Sequence, residues 1–150
     1  MSSIKPNGVL SLVEKQLDAL RTGDIPAWLE TWHDEGVIEF PFAPPGYNKR
    51  VEGKAAISEY MSGFPSKIKL DRLEVVSQLE SVDGNQGFFE FTCKGTVVST
   101  GKPYDQHYVC MLQLKDGKVV LYRDFWNPLV AIEAFGGADA FINALHARAS

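Results

Sequence analysis

The sequence predicts an α+β fold in which helices come first and strands later along a chain of 150 residues. Two amphipathic segments open the chain, a strand and a short helix follow, and four long strand-like runs then succeed one another. Consecutive strands joined by tight turns favour an antiparallel meander over βαβ winding. Because a long sheet must curl to bury helices on one face, we expect a cone-shaped, mostly antiparallel sheet. Three N-terminal helices and a short C-terminal helix close it.

Helices are predicted near both ends of the chain and between the first strands. The first runs from Val9 to Arg21, where apolar residues recur at helical spacing with charged residues between them. Gly23 suits a left-handed residue at its end, and Asp24 is placed to cap a second helix that ends near Gly36. The remaining predicted helices are a short one over 53–61 and a C-terminal one after Asn127-Pro128, interrupted at Gly136-Gly137.

Strands are predicted from β-branched and aromatic runs that are bounded by turn residues. A short strand runs from Val37 to Phe42, and the proline-rich run that follows it leaves the sheet. Asp83-Gly84-Asn85 and Lys115-Asp116-Gly117 are hairpin turns between the later strands. Those later strands are predicted over Lys67–Val82, Gly87–Ser99, Tyr104–Leu114 and Lys118–Trp126.

Composition and charge exclude several classes of function. With 45% apolar residues, 23% charged residues and a net charge of −4, the chain has the composition of an ordinary globular protein. One domain over residues 1–150 fits this length. The acidic balance argues against nucleic-acid binding, and no apolar run approaches the roughly 18 residues of a membrane span. Because the N-terminus lacks a secretory signal, we expect a cytoplasmic protein.

The sequence offers no motif for a cofactor or a metal ion. It has neither a glycine-rich phosphate loop nor a nucleotide fingerprint, and its three histidines lie far apart. Cys93 and Cys110 do not form a Cys-x-x-Cys pair, and their apolar surroundings predict two buried thiols in a reducing compartment. A disulfide between them depends on their distance in the fold. We expect no cofactor and no metal.

The last strand carries the most informative constellation, Tyr122-Arg123-Asp124-Phe125-Trp126. Side chains alternate along a strand, so Asp124 shares one face with Tyr122 and Trp126, while Arg123 and Phe125 share the other. On a cavity face, the aromatic neighbours of Asp124 would desolvate its carboxyl and raise its pKa, which suits proton transfer at neutral pH. On the opposite face, Asp124 would pair with an arginine or a backbone donor. Alternation alone leaves both arrangements open.

A cavity between the curled sheet and the helices is the predicted binding site. His107, on the preceding strand, is a candidate proton partner for Asp124 or a hydrogen-bond donor to a ligand. Trp28 and Trp32 share one face of the second helix, where they pack on the sheet or line the cavity mouth. The other predicted lining residues are Phe40, Phe42, Phe64, Phe91, Val109, Met111, Tyr122 and Trp126.

A set of segments spread along the chain carries a family resemblance. They are Gly23-Asp24 before a tryptophan-rich helix, the strand 37–41, Gly53-Lys54 at the start of a short helix, and the Asp116-Gly117-Lys118 hairpin. Together they resemble the nuclear-transport-factor-2-like superfamily and, within it, the polyketide-cyclase (SnoaL-like) and ketosteroid-isomerase-like branch. The resemblance covers nearly the whole chain and implies the fold. It does not imply one reaction, because this fold is shared by isomerases, cyclases, hydrolases, dehydratases and proteins that only bind a ligand.

Two enzyme groups of this superfamily differ in what they imply for single residues. The catalytic tyrosine and two aspartates of the steroid isomerases fall at Gln16, Phe40 and about Val109, so the resemblance implies that their mechanism is lost. The limonene-epoxide hydrolases are similar around the last strand, and one of their catalytic aspartates falls at Asp124. Their arginine and second aspartate fall at apolar residues of the strand 87–99.

The longest local similarity is to the phenazine-biosynthesis A/B proteins. It is carried by Tyr104-Asp105-Gln106-His107-Tyr108 and Arg123-Asp124-Phe125-Trp126-Asn127. The catalytic glutamate of that family falls at Asp124 and its catalytic histidine at Tyr60, so the acid is retained in shortened form and the histidine is replaced. The resemblance implies that Asp124 faces the cavity. It also implies that Arg123 and Phe125 lie on the outer sheet face, where this superfamily dimerises.

The sequence and the resemblance together predict a small-molecule enzyme that uses acid–base catalysis in an apolar cavity. Asp124 is the predicted acid or base, and Tyr60 and His107 are predicted donors to a developing oxyanion. The predicted reaction is of isomerase, cyclase, dehydratase or hydrolase type, on a small apolar or aromatic molecule, by a homodimer. Two alternatives stay open: a non-catalytic binder that neutralises Asp124 with Arg50 or Arg72, and a structural dimer whose cavity is filled by side chains.

Overall fold

In residues 8–145, the part of the chain that the computed structural model describes, six strands form one curved sheet. The strands are β1 (Trp32–Glu39), β2 (Arg50–Glu52), β3 (Ile68–Glu80), β4 (Gln86–Val97), β5 (Gln106–Lys115) and β6 (Lys118–Trp126). Their order across the sheet is β2-β1-β6-β5-β4-β3. Neighbours run antiparallel except β1 and β6, which are parallel. The predicted α+β fold with a mostly antiparallel curved sheet is confirmed.

The helices pack against this sheet and against one another. They are α1 (Val9–Thr22), α2 (Ile25–Leu29), α3 (Lys54–Met61), α4 (Phe64–Lys67), α5 (Pro128–Phe135) and α6 (Ala138–Leu145). Helix α1 packs on β3 and β4, and α3 packs on β1. Val9, Ile57 and Phe89 are fully buried in the shared core. Cys93 and Cys110 are buried free thiols, as the sequence predicts. None of the helices in this described part is both long and apolar enough to cross a membrane.

Short-range signals set several element boundaries where the sequence predicts them. Gly23 ends α1 in the left-handed region with a φ of 71°. The Asp24 carboxylate accepts a hydrogen bond from the amide of Ala27 at 3.1 Å and so caps α2. Asp116 and Gly117 both have positive φ, 53° and 74°, as a tight turn between β5 and β6 requires. These predictions are confirmed because each boundary depends on residues that are adjacent in sequence.

The prediction that the second helix extends to Gly36 is wrong, because α2 ends sooner and Trp32 already lies in β1. The Thr31 hydroxyl donates to the carbonyl of Trp28 at 2.6 Å beyond the end of α2. The carbonyl of Thr31 accepts a hydrogen bond from the Val119 amide at 2.9 Å, which begins the parallel pairing of β1 with β6. This pairing with a strand far along the chain overrides the local helical pattern.

Two short elements and a divided C-terminal helix complete the fold. Strand β2 pairs with the end of β1, where Val51 lies opposite Ile38. Gly136 ends α5 with a φ of 92°, at the predicted interruption of the C-terminal helix. The sequence does not predict β2 or α4, because each is too short for a periodic pattern of apolar residues to reveal it.

The close approach of Trp32 to Gly36 allows a test of how the start of β1 packs. A Cβ atom at Gly36 would lie 2.5 Å from Cε3 of Trp32 and 3.0 Å from the backbone oxygen of His33. We therefore expect Gly36→Ala to lower the free energy of unfolding by about 1–3 kcal/mol in urea denaturation. In a Trp32→Leu background, the same substitution should cost less, because the indole that it meets is gone. A Gly36→Ala variant with the wild-type midpoint would contradict this packing.

Candidate functional site

A cavity of about 110 Å³ lies between the inner face of the sheet and the helices. Strands β4, β5 and β6 supply much of its floor, and α3, α6 and the segment 40–47 supply parts of its walls. Most lining side chains are aromatic or aliphatic. Among the described residues that line the cavity, the polar side-chain groups are tyrosine hydroxyls, the indole N–H groups of Trp28 and Trp126, the Cys93 thiol and the Asp124 carboxyl. The cavity is therefore apolar with a few convergent polar groups, as small-molecule sites are.

The register between β5 and β6 determines which side chains face this cavity. Cys110 lies opposite Asp124, and Tyr108 lies opposite Trp126. Cys110 is fully buried, and the other three side chains line the cavity. Asp124 therefore projects inward from a strand that has neighbours on both sides, with aromatic residues before and after it on the same face.

The Asp124 carboxylate accepts a hydrogen bond from the Cys110 thiol, whose Sγ lies 3.3 Å from Oδ1. A thiol is a weak donor, so this bond compensates for little of the hydration that the carboxylate loses. Burial raises the pKa of Asp124 from 3.8 to about 7, and the bond from Cys110 offsets only part of that rise. Asp124 thus changes its charge near neutral pH.

The two arginines considered as neutralising partners of Asp124 are paired elsewhere. Arg50 forms ion pairs of 2.5 Å with Glu39 and Glu52, and Arg72 pairs with a surface glutamate at 3.2 Å. No lysine, arginine or histidine is among the described residues that line the cavity. Within residues 8–145, no group of three or more metal-ligating side chains is arranged to hold a metal ion. The carboxyl accordingly lies in an apolar cavity without a cationic side chain.

Two pairs of tyrosine hydroxyls line the same cavity. The hydroxyls of Tyr47 and Tyr60 form a hydrogen bond, and those of Tyr104 and Tyr108 lie 2.8 Å apart. Burial raises the pKa of all four phenols, and the negative charge of Asp124 raises those of Tyr47, Tyr60 and Tyr108 further. The hydroxyls therefore stay protonated at neutral pH. Because one O–H of the Tyr104–Tyr108 pair donates to the other, the second can donate to a ligand.

Aromatic contacts hold the walls of the cavity. The Tyr47 ring stacks on Phe141 of α6 with centroids 5.0 Å apart, and Phe91 stacks on Tyr108 at 4.7 Å. Phe141 also meets Trp126 edge to face, with centroids 5.9 Å apart. Because the rings of Tyr47 and Tyr108 are packed on other rings, their hydroxyls are fixed in position before a ligand binds.

A surface groove of about 180 Å³ adjoins the cavity where the end of α1 meets α4. The side chains that line both spaces are Leu20, Phe64, Ile68 and Leu70. Leu20, Phe64 and Leu70 are partly exposed, whereas Ile68 is buried. The two spaces are therefore neighbours that share a wall of apolar side chains.

Comparison with known proteins places this architecture in a family. A family profile described as the SnoaL-like domain matches residues 13–122, which is most of the chain. The chain belongs to the SnoaL-like family. This confirms the predicted membership of the nuclear-transport-factor-2-like superfamily.

Three relatives share much of their length with this SnoaL-like protein. The uncharacterised protein YesE of Bacillus subtilis is 46% identical over 115 residues, which are 77% of this chain and 78% of YesE. The uncharacterised PhzA/B-like protein PA3332 of Pseudomonas aeruginosa is 40% identical over 124 residues, 83% and 87% of the two chains. A solved Bacillus subtilis structure, provisionally named an isomerase, is 42% identical with a TM-score of 0.82, covering 86% of this chain and 93% of that one.

Several of the predicted site residues line the cavity of this SnoaL-like protein. They are Trp28, Phe40, Tyr60, Phe64, Phe91, Tyr122, Asp124 and Trp126. Two of the predicted catalytic residues, Asp124 and Tyr60, therefore share one cavity. Their chemical roles stay predictions.

Three predicted site residues of β5 lie on the opposite face of the sheet. His107, Val109 and Met111 alternate with the inward-facing residues of that strand, and His107 and Met111 are exposed. The Nε2 atom of His107 lies 2.5 Å from a carboxylate oxygen of Glu90. The prediction that His107 reaches Asp124 is wrong, because the sheet lies between them.

The predicted cavity positions of Trp32 and Phe42 are also wrong. Trp32 is buried outside the cavity lining, between Trp28 at 5.4 Å and Tyr122 at 5.8 Å between ring centroids. It belongs to β1 rather than to the second helix, so it does not share a helical face with Trp28. Phe42 is 59% exposed and packs edge to face on Phe125, on the outer side of the sheet.

The sequence reasoning missed several residues that shape the site. Tyr108 and Cys110 follow from strand alternation once Asp124 faces inward, because the hairpin between β5 and β6 fixes the register of the two strands. Tyr47 and Phe141 come from a loop and from α6, and no local pattern predicts where those side chains point.

The raised pKa of Asp124 predicts how stability depends on pH. Between about pH 4 and 7, the native state holds a proton that the unfolded state has released, so the free energy of unfolding falls as pH rises through this range. Asp124→Asn removes this dependence. We expect the free energy of unfolding of the variant, relative to that of the wild type, to rise by roughly 2–4 kcal/mol from about pH 4 to pH 8, measured by urea denaturation.

The matched control is Asp18→Asn, which removes a carboxylate from an exposed ion pair of α1 with Arg21. Its difference from the wild type should stay small across the same pH range, because exposed pairs contribute little. An Asp124→Asn difference that does not change with pH would contradict the burial of an uncompensated carboxyl.

Proposed function

We propose that this SnoaL-like protein is a cofactor-independent enzyme that moves a proton within a small apolar carbonyl compound, an isomerase-type reaction. The observation that carries the proposal is the Asp124 carboxyl, which faces an apolar cavity without a cationic side chain. A carboxyl with a pKa of about 7 accepts a proton and returns it at neutral pH, which is what a single acid–base residue needs.

In the proposed reaction, ionised Asp124 removes a proton from a carbon next to the ligand carbonyl. The electron pair of the broken C–H bond moves toward the carbonyl oxygen and forms an enolate. Tyr60, whose hydroxyl is paired with that of Tyr47, donates a hydrogen bond to this oxyanion. Protonated Asp124 then returns the proton to another carbon, which regenerates the carboxylate and leaves an isomer of the ligand.

The relatives support this reaction class. The solved Bacillus subtilis structure that is 42% identical to this chain is provisionally named an isomerase. The pairing of Arg50 and Arg72 with surface glutamates supports the enzyme over the binder that neutralises its carboxyl. Cyclisations and dehydrations that begin next to a carbonyl group start with the same proton abstraction, so the proposal extends to those reactions through the same residues.

The test is the isomerisation of cyclohex-3-enone to cyclohex-2-enone, followed by the ultraviolet absorption of the conjugated product. We expect Asp124→Asn to lower kcat by about a hundredfold or more, because it removes the base. Tyr60→Phe should lower kcat by about ten- to a hundredfold with a smaller effect on KM, because it removes an oxyanion donor. Asp18→Asn is the control and should keep wild-type rates. Equal rates for Asp124→Asn and the wild type would refute the proposed chemistry.

A second part of the proposal is a homodimer through the outer face of the sheet. This face carries Val109, Met111, Leu121 and Phe125, and Met111 is 47% exposed. A groove of about 790 Å³ runs across it. Exposed apolar side chains on a sheet face are typical of a surface that a second copy covers.

The dimer is tested by sedimentation of the wild type and of Met111→Glu. In a symmetric dimer, the substitution buries an uncompensated charge on both copies, so we expect Met111→Glu to weaken association by about a hundredfold or more. Leu129→Glu is the matched control, because Leu129 is 72% exposed and belongs to α5 rather than to the sheet. A wild type that sediments as a monomer at micromolar concentration would refute the dimer.

A further inference from the structure

We propose that the cavity selects uncharged ligands of one ring that carry a carbonyl or amide group, and that it excludes carboxylates of the same shape. The inference deepens the proposed function, since it names the ligand class of the same site, but it concerns binding and does not require turnover. It rests on the charge, the volume and the hydrogen-bond donors of the cavity.

The charge of the lining opposes an anionic ligand. The described residues around the cavity include the Asp124 carboxyl and no cationic side chain. A ligand carboxylate would lose its hydration in this apolar space and would also be repelled by ionised Asp124. The arginines of β2 and β3 cannot compensate, because Arg50 is held by Glu39 and Glu52 and Arg72 by Glu74 on the surface.

The volume of the cavity restricts the ligand to about one ring. Its 110 Å³ is well below the roughly 300–1,000 Å³ of typical small-molecule sites. It is closer to the cavity of about 150 Å³ that accepts benzene in another protein. Phe141 and Trp126 limit the cavity on the α6 side, and each ring is packed against its neighbours.

The tyrosine pairs supply neutral donors for a carbonyl oxygen. Tyr104 is hydrogen-bonded to Tyr108, so this pair presents a hydroxyl hydrogen beyond the one used within it, and the Tyr60 hydroxyl lines the same cavity. The ionised Asp124 carboxylate accepts hydrogen bonds, such as those from an amide N–H. A primary amide on one ring therefore matches both kinds of polar group, and a carboxylate matches only the donors.

The test compares benzamide with benzoate, which have nearly the same shape and differ in charge. Dissociation constants are measured by ligand-observed NMR titration at pH 8.5, where Asp124 is ionised. For the wild type we expect benzoate to bind at least about tenfold more weakly than benzamide. In Asp124→Asn, the dissociation constant of benzoate divided by that of benzamide should fall by about tenfold. In the control Asp18→Asn, this ratio should stay at the wild-type value.

A second measurement keeps the test decisive without any variant. Protonation of Asp124 removes the repulsion, so the ratio of the benzoate to the benzamide dissociation constant of the wild type should also fall between pH 8.5 and pH 5.5. The two-ring analogue 1-naphthamide should bind at least about tenfold more weakly than benzamide, because it exceeds the cavity. Three results would each overturn the inference. They are equal dissociation constants of benzoate and benzamide at pH 8.5, equal dissociation constants of 1-naphthamide and benzamide, and the absence of saturable benzamide binding at millimolar concentration.

Binding and turnover fail separately in these experiments. Selective benzamide binding without isomerisation of cyclohex-3-enone would retain this ligand class and refute the proposed reaction. Isomerisation that depends on Asp124, together with equal binding of benzoate, would retain the reaction and refute the charge selection.

Discussion

The parallel pairing of β1 with β6 is the interaction on which the rest of the structure depends. It begins at Trp32 opposite Val119 and continues to Glu39 opposite Arg123. Without it, the sheet would end at β6 and one side of Asp124 would face solvent. With it, Asp124 lies on an interior strand, and the chain that leaves β1 carries Phe40 and the following loop over the inner face of the sheet. The loop returns Tyr47 to the same cavity.

The cavity combines two requirements that oppose each other. Burying a carboxyl without a cation costs free energy, and the protein limits that cost by letting Asp124 bind a proton near neutral pH. The donors that would hold the charged form more firmly are absent from its contacts in residues 8–145, where the bond to it comes from the weakly donating Cys110 thiol. The burial that lowers stability at Asp124 is therefore also what moves the pKa of its carboxyl to about 7.

How much of this could be predicted from the sequence differs between local and long-range features. The caps at Gly23 and Asp24 and the Asp116-Gly117 turn depend on adjacent residues, and the pattern predicts them. The prediction that Trp32 lies in the second helix is wrong because its strand is determined by pairing with β6. The helical spacing of its neighbours gives no sign of that pairing.

The candidate site shows the same division. Alternation groups Asp124 with Tyr122 and Trp126, but it does not decide which face points inward, and that choice requires the family resemblance. His107 lies on the outer face of its strand, opposite to the prediction. Tyr47 enters the cavity through a loop, where sequence spacing gives no direction. The chemistry-bearing strand was therefore predictable, while the composition of the walls required the structure.

That division has an evolutionary consequence. Asp124 is held in the interior of a sheet, whereas α3, α6 and the loop after β1 lie outside that sheet. Substitutions in these elements can change the walls of the cavity, and with them the preferred ligand, without moving the carboxyl.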